Sequence, residues 1–463
     1  MVSSSDDRSD QNNNWHEKIK FALLTLSFSF VVAAYTIAKE LKDSIFINIV
    51  GREYLPKAKL IVIFLLIPAV FLYSYLVDKF RRYQLLSFYC YFYGASLLLF
   101  SFFLGSSKVG LYNTDSSPWR LFGWMFYFLL EGFSPFIVGV FWAFANSITT
   151  PKEAQGYYGL MVAGSKVGGM GGALLAWYLL SNVSLLSYFY ITGDGVIAHQ
   201  FLLGIVAVLL LFVPWIVKIM MNLVPGYLLH GYEAVYKAEK AKGKEEKPVA
   251  GMIDGLKVLI KSPYILGIFG LVFFYESLNV ILNFQRLYLL QDAATSVAGF
   301  TASLFEQRFW MHFYGLILSL IGARVLMKKF GEKACLVIVP GLISCLLIYF
   351  LIFHDSSSIL HVFIGLGAVN YAISHPLRES LYIPTLKDMK FKAKSWIDTF
   401  GTKLSKASGS IFADFAKAII PGTSMFFLMY GSFFAVIMGL WFIVAYLLGK
   451  RYESAVSKNE IIQ

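Results

Sequence analysis

Long apolar stretches separated by short polar connections dominate this chain. A helix needs about 20 mostly apolar residues to cross the hydrocarbon core of a bilayer. Of the 463 residues, 57% are hydrophobic and only 15% are charged, which is far from the composition of a soluble globular protein. Stretches of sufficient length lie at 19–40, 59–78, 84–105, 119–147, 157–181, 198–223, 264–285, 307–327, 334–353, 359–381, 396–419 and 425–449. The sequence therefore predicts an all-α membrane protein with twelve transmembrane helices.

The positions of lysine and arginine predict how the chain crosses the membrane. Basic connections follow the second, eighth and tenth stretches, and another basic segment follows the last, whereas the alternate connections carry few positive charges. By the positive-inside rule, both termini are then cytoplasmic. The polar residues 1–18 are expected to form a disordered cytoplasmic tail, and residues 450–463 a second tail. A basic cytoplasmic linker at 224–262 would separate two six-helix halves, 19–223 and 263–449.

The net charge of +12 points to the membrane or to an anionic solute. In a soluble protein this charge would suggest nucleic acid, which we do not expect as a partner here. The sequence contains no phosphate-cradling P-loop, and its cysteines and histidines are scattered. We therefore expect no metal, no cofactor and no enzymatic activity, and a monomer within the lipid bilayer. A membrane enzyme or a structural protein is the more distant alternative.

The stretch beginning at residue 396 carries the clearest candidate for a binding surface. Its polar side chains recur at spacings of three or four residues and so share one helix face: Thr399, Lys403, Lys406, Ser410, Asp414 and Lys417. A charge in the bilayer costs about 2.5–3.5 kcal/mol unless it faces protein or water, so this face predicts a wet, positively charged cavity for an anion. The alternative is an amphipathic helix on the membrane surface. Packing inside a bundle is favoured by the small residues Ser405, Ala407, Ser408 and Gly409.

Two short matches suggest that the halves are repeats of one unit. Ile148-Thr-Thr-Pro-Lys-Glu-Ala matches Ile383-Pro-Thr-Leu-Lys-Asp-Met, and each is followed by a similar tetrad, Gly164-Ser-Lys-Val or Gly401-Thr-Lys-Leu. Lys166 would then be equivalent to Lys403, and two lysines facing each other across a central axis would suit a polyphosphate. Alternatively, the Lys166 side chain reaches the cytoplasmic interface, and the glycines around it serve helix packing.

Further charged side chains fall within the apolar stretches near the N-terminus and in the fourth stretch. Lys39 and Lys42 share one helix face, and Glu40 and Asp43 are close enough to offset part of their charge. Glu131 lies near the middle of its stretch. It is either a functional carboxylate or the ion-pair partner of a lysine in the first or eleventh stretch.

The remaining candidates each have a simpler alternative. Pro135 is expected to loosen the helix that carries Glu131. Asn146 could donate to a ligand or cap its helix. Arg286 could bind an anion or anchor the outer interface, and Arg378 could contact a ligand or pair with the neighbouring Glu379.

Three segments together resemble a known transporter family. Tyr35-Thr-Ile-Ala-Lys-Glu-Leu-Lys-Asp resembles the opening motif of the ATP/ADP translocases of obligate intracellular bacteria and plastids. Phe141-Trp-Ala-Phe-Ala-Asn-Ser-Ile-Thr-Thr, followed by Glu153 and Tyr157-Tyr158, is similar to the motif that joins their fourth and fifth helices. Their long motif before and within helix eleven is resembled by Glu379-Ser-Leu-Tyr-Ile-Pro, Lys394, Ile397-Asp398 and Lys406-Ala-Ser-Gly-Ser.

The resemblance implies a major-facilitator-like fold with two pseudo-symmetric halves that work by alternating access. It also implies counter-exchange of nucleotides, typically ATP for ADP plus phosphate, across a bacterial inner membrane. Lys42 and Glu131 match charged positions important to transport in that family. Lys403 and Lys406 fall in its lysine-bearing stretch of helix eleven.

Departures from the family pattern leave the substrate open. The family usually has Arg where Lys39 stands, and its seventh helix usually carries a Glu and a Trp-Lys pair. Here the segment from Asn279 lacks the Glu and the Trp, and Arg286 replaces the Lys. The alternative to ATP/ADP antiport is proton-coupled import of other nucleotides or of phosphate anions, with Glu131 as proton acceptor. The expected substrate-binding residues are Lys39, Lys42, Glu131, Asn146, Lys166, Asn279, Arg286, Arg378, Lys403 and Lys406.

Overall fold

The computed structural model describes residues 3–149, 151–184, 195–229, 257, 259–382, 384–385, 393–416, 418–419, 422–458 and 460–462. Most of the predicted basic linker lies outside this part of the chain, as do the lysine-rich connection at 386–392 and Lys417. The predictions made for these segments therefore stay predictions.

Helices make up nearly all of the described chain. In order they are α1 (Ser3–Ile49), α2 (Leu55–Lys79), α3 (Arg82–Leu104), α4 (Leu121–Ser147), α5 (Pro151–Ser181), α6 (Gly195–Leu223), α7 (Pro263–Ala293), α8 (Val297–Phe353), α9 (356–380), α10 (394–416) and α11 (Ser424–Ser457). Within the described residues, nine helical segments are long and apolar enough to span a bilayer. An all-α membrane protein is therefore confirmed.

The count of twelve spanning helices stays a prediction. The predicted stretches at 59–78 and 307–327 are helical, and the stretch at 396–419 is helical as far as Ala416, but none of the three is among the nine segments. In the last of them, lysines and an aspartate replace apolar residues and so lower the hydropathy. The predicted eighth and ninth spans both lie in α8. This element consists of two helices that meet at Gly331, where the backbone is left-handed with φ of 77°.

α1 begins at Ser3 and α11 continues to Ser457, so both terminal helices extend into the segments 1–18 and 450–463. The tails predicted for these segments stay predictions. Residues 3–18 contain neither glycine nor proline, and Asp6 and Asp7 stand near the positive end of the helix dipole. Both features permit helix despite the polar composition.

A π-helical turn interrupts three of the helices. It lies at Ser134–Val138 in α4, at Asn370–Ser374 in α9 and at Ile397–Gly401 in α10. The first includes Pro135, which cannot donate a backbone hydrogen bond, so the predicted loosening after Glu131 is confirmed.

The described residues divide into two compact units. The first draws on Met1–Arg52, Phe64–Glu246 and Thr295–Phe309, and the second on Glu53–Ile63, Lys247–Ala294 and Trp310–Gln463. In the first unit α1 packs against α5 and α6, and in the second α7 packs against α9, α10 and α11. The predicted halves at 19–223 and 263–449 stay predictions, because this division follows contacts and not chain order.

Each unit contains a parallel helix pair held together through glycine. In the first unit, Gly164, Gly168 and Gly172 of α5 meet Thr25, Ser29 and Ala33 of α1, and both chains advance in steps of four. In the second unit, Gly401 of α10 meets Phe269 of α7, and Gly409 meets Ser277 eight residues further along each chain. The packing interpretation of the α5 glycines is therefore confirmed.

The same pattern places two predicted lysines in equivalent surroundings. Lys166 follows the packing glycine Gly164 by two residues, and Lys403 follows Gly401 by two residues. In both helices another packing glycine lies eight residues after the first, Gly172 in α5 and Gly409 in α10. The local geometry therefore supports the repeat that the matched tetrads suggested.

Gly168→Ala tests this packing. An added Cβ would overlap the Ser29 carbonyl oxygen, whereas Gly171 of the same helix has no atom within 4 Å of such a Cβ. We expect Gly168→Ala to destabilise the protein by about 1–3 kcal/mol and the control Gly171→Ala to be neutral. Thermal unfolding of the purified protein in detergent measures both, and equal unfolding temperatures would contradict the packing described.

Candidate functional site

A compact ionic cluster joins α1 and α4 in the first unit. Lys42 is 5% exposed and forms an ion pair with Glu131 of α4. Its ammonium also lies 3.3 Å from a carboxylate oxygen of Asp43 and 4.5 Å from the centre of the Tyr127 ring. Of the two interpretations of Glu131, the structure thus shows the ion pair, with a lysine of α1.

The positive charge of Lys42 is compensated within this cluster. Two carboxylates, those of Asp43 and Glu131, approach one ammonium group. A buried charge is tolerated only when it is paired, so the arrangement accounts for how Lys42 persists inside the bilayer. An anion could bind Lys42 only if it replaced at least one of these carboxylates.

The other predicted residues of the first unit lie apart from this cluster. Lys39 is half-buried, with its ammonium 5.9 Å from the centre of the Tyr35 ring. Lys166 is half-buried on α5. Asn146 is exposed, and its side-chain oxygen accepts a 2.6 Å hydrogen bond from the Tyr158 hydroxyl. Because it lies fifteen residues beyond Glu131 on α4, Asn146 is about 22 Å from that carboxylate along the helix.

The second unit contains a looser lysine–carboxylate pair. Lys406 of α10 lies 3.6 Å from Glu276 of α7, and the side chains are 38% and 18% exposed. Asn279 follows Glu276 by one helical turn and is half-buried. Lys403 and Asp414 of the predicted polar stripe are also half-buried, whereas Ser410 is fully buried.

α10 packs as a bundle helix through its small residues. The Ser277 hydroxyl lies 3.0 Å from the Ser405 carbonyl oxygen and 2.8 Å from the Ser408 hydroxyl. The apolar side of α10 faces outward, as the exposure of Leu404, Ile411 and Phe415 indicates. The surface-helix alternative does not match this packing against α7.

The two predicted arginines lie in different surroundings. Arg286 is fully buried, so it is not an anchor at the outer interface; it donates a 3.0 Å hydrogen bond to Asn283 and stacks 4.0 Å from the centre of the Phe363 ring. Arg378 is half-buried at the end of α9. Its neighbour Glu379 forms an ion pair with Lys394 at the start of α10.

The sequence analysis did not identify two buried cationic side chains. Lys20 of α1 is fully buried and donates to Glu153 at 2.6 Å and to the carbonyl oxygens of Ile148 and Leu228 at 3.2 and 3.0 Å. Arg308 of α8 is 5% exposed and pairs with Glu40. Their positions inside or at the edge of apolar stretches were the available signal.

Comparison with known proteins now decides the family. A family model described as TLC ATP/ADP transporter matches residues 14–452. The chain belongs to the TLC ATP/ADP transporter family.

Relatives of this TLC family protein come from bacteria and a plant. ADP,ATP carrier protein 1 of Chlamydia muridarum is 24% identical over 496 residues, covering 96% of this chain and 90% of that protein. ADP,ATP carrier protein 1 of Rickettsia prowazekii is 23% identical, with coverage of 96% and 95%. The chloroplastic ADP,ATP carrier protein 1 of Arabidopsis thaliana is 26% identical, with coverage of 73% and 55%.

Solved transporter structures resemble the fold of this TLC family protein. The crystal structure of a D-xylose–proton symporter aligns with a TM-score of 0.59 and 11% identity, covering 94% of this chain and 97% of that one. A bacterial homologue of the iron transporter ferroportin aligns with a TM-score of 0.57 and 14% identity, covering 95% and 98%. The predicted major-facilitator-like fold is therefore confirmed; at these identities the likeness concerns the fold alone.

Substitutions in the Lys42 cluster of this TLC family protein should have unequal costs. Lys42→Met leaves Asp43 and Glu131 facing each other without a cation, so we expect a loss of about 3–5 kcal/mol in unfolding free energy. Glu131→Gln should cost clearly less, because Asp43 still lies 3.3 Å from the ammonium. Unfolding transitions of the purified variants measure this. A larger loss of unfolding free energy for Glu131→Gln than for Lys42→Met would contradict this arrangement of the ion pairs.

Proposed function

We propose that this protein is an ATP/ADP antiporter that works by alternating access, with lysines of both predicted halves binding the phosphates. Membership in the TLC ATP/ADP transporter family supports nucleotides as substrates. The names of the bacterial relatives, ADP,ATP carrier protein 1, support both ATP and ADP as cargo. The observation that carries the proposal is the partly exposed pair that Lys406 forms with Glu276.

Lys406 is suited to bind an anion reversibly. Its 3.6 Å separation from Glu276 exceeds normal hydrogen-bonding distance, and more than a third of its side chain is exposed. A phosphate oxygen could replace Glu276 as its partner at little cost. Lys403 lies one turn earlier on the same face of α10, so the two ammonium groups could contact successive phosphates.

Carboxylates and phosphates would exchange at these lysines during transport. With no nucleotide bound, Glu131 and Glu276 neutralise Lys42 and Lys406. Phosphates take over that role when cargo binds, so a cation is paired in either state. Lys166 would serve the first unit as Lys403 serves the second, and the remaining candidates Lys39, Asn146, Asn279, Arg286 and Arg378 would shape the cavity.

Orientation and oligomeric state belong to the same proposal. The membrane would be a bacterial inner membrane with both termini on the cytoplasmic side, as the basic connections predicted. The protein would act as a monomer.

Exchange in proteoliposomes tests the proposed function. We expect labelled ATP to enter vesicles containing the purified protein when they are preloaded with ADP, and hardly at all when they are empty inside. Entry of neither nucleotide under any loading condition would refute transport of adenine nucleotides.

Lys406→Ala tests the assigned lysine. Removing a charged hydrogen bond to phosphate should lower the exchange rate by about tenfold or more. The matched control is Lys333→Ala, which removes a surface lysine that pairs with Glu453 at 2.9 Å. The assignment fails if both variants exchange ATP at the rate of the unmodified protein.

Proton-coupled import is a second candidate because Glu276 is a carboxylate within a membrane-spanning helix, and its Oε2 atom is buried and accepts no hydrogen bond from any described residue. Import driven by a pH gradient into empty vesicles, without internal nucleotide, would favour this candidate over exchange.

A further inference from the structure

Glu40 and Arg308 form a buried ion pair within the first unit. Glu40 lies on α1 and is 1% exposed, whereas Arg308 lies on α8 and is 5% exposed. The Arg308 Nε atom donates to Glu40 Oε1 at 2.8 Å, and Nη2 donates to the same oxygen. Burying two charges is costly unless they stay paired, so this contact needs a reason beyond stability.

Three hydrogen-bonding side chains align α8 beside α1. The hydroxyl groups of Ser44 and Thr301 lie 2.6 Å apart, and His199 of α6 places its Nε2 atom 2.9 Å from the Thr301 hydroxyl. Ser44 follows Glu40 by four residues, while Thr301 precedes Arg308 by seven. One face of each helix therefore makes both contacts, with the chains antiparallel.

A ring contact connects α8 with α5, the helix that carries a predicted phosphate-binding lysine. Lys166 of α5 and Arg308 are within the range of electrostatic repulsion. The next residue on α8, Phe309, packs against Trp177 of α5 with ring centres 6.1 Å apart. Two cations that approach each other in a membrane protein create a region where an anion is favoured.

We propose that Arg308 is a further phosphate-binding residue, and that Glu40 is the counter-ion it releases when a nucleotide binds. This inference rests on the proposed function and adds a residue to the phosphate site of the first unit. Arginine suits the role because its planar guanidinium can hold two oxygens of one phosphate, as it can hold a carboxylate.

The proposal predicts opposite effects on affinity for the two partners. Arg308→Gln removes a phosphate ligand, so the Kd for ATP should rise by about tenfold or more. Glu40→Gln removes the group that competes with phosphate for the guanidinium, so the Kd for ATP should fall by about threefold or more. A purely structural pair would move both values in the same direction or leave both unchanged.

Binding of ATP to the purified full-length protein in detergent provides the test. Arg308→Lys keeps the charge but loses the planar fork, and it should give an intermediate Kd even if Arg308→Gln does not fold. Arg451→Gln and Glu453→Gln are matched controls, because they alter surface ion pairs with Glu460 and Lys333 and should bind ATP as the unmodified protein does.

Two results would overturn the proposal. The first is an unchanged Kd in both Arg308→Lys and Glu40→Gln, and the second is weaker ATP binding in Glu40→Gln. If Lys406→Ala still loses exchange in these cases, only the role of Arg308 fails. If the unmodified protein neither binds nor exchanges ATP, the proposed function fails as well.

Discussion

A positive charge inside a bilayer must have an opposite charge beside it, and this requirement governs the buried polar contacts of the protein. The described helices meet it in several ion pairs, among them Lys42 with Glu131, Lys406 with Glu276, and Arg308 with Glu40. The first and third pairs are buried, and the second is partly open. Such pairs add little stability compared with apolar packing, so function is the better explanation for keeping them. A cargo with several negative charges can replace the carboxylates without leaving any cation unpaired.

Close helix packing determines where these charges stand. α1 and α5 approach through Gly164, Gly168 and Gly172, and α7 and α10 approach through Gly401 and Gly409. Because lysines follow the first glycine of each series by two residues, both units present a lysine from a tightly packed helix. Rigid parallel helix pairs of this kind can move as bodies, which is what alternating access requires of a transporter. The π-helical turns in α4 and α9 lie in other helices, whereas the turn in α10 ends at the packing residue Gly401.

Local sequence patterns predicted much of this architecture. Apolar stretches of sufficient length predicted the helices, Pro135 predicted the irregular turn after Glu131, and the small residues around Ser405 predicted the contact with α7. The ion pairs could not be predicted from local patterns. Arg308 and Glu40 are 268 positions apart, and Lys42 and Glu131 are 89 apart, so no spacing rule links them.

A structure of the protein with ATP bound, determined by electron cryomicroscopy, tests the exchange of carboxylate for phosphate most directly. The account predicts a phosphate oxygen within hydrogen-bonding distance of the Lys406 ammonium, with Glu276 displaced from its position 3.6 Å away. Bound ATP whose phosphates contact other groups, with the Lys42–Glu131 and Lys406–Glu276 pairs both intact, would contradict it.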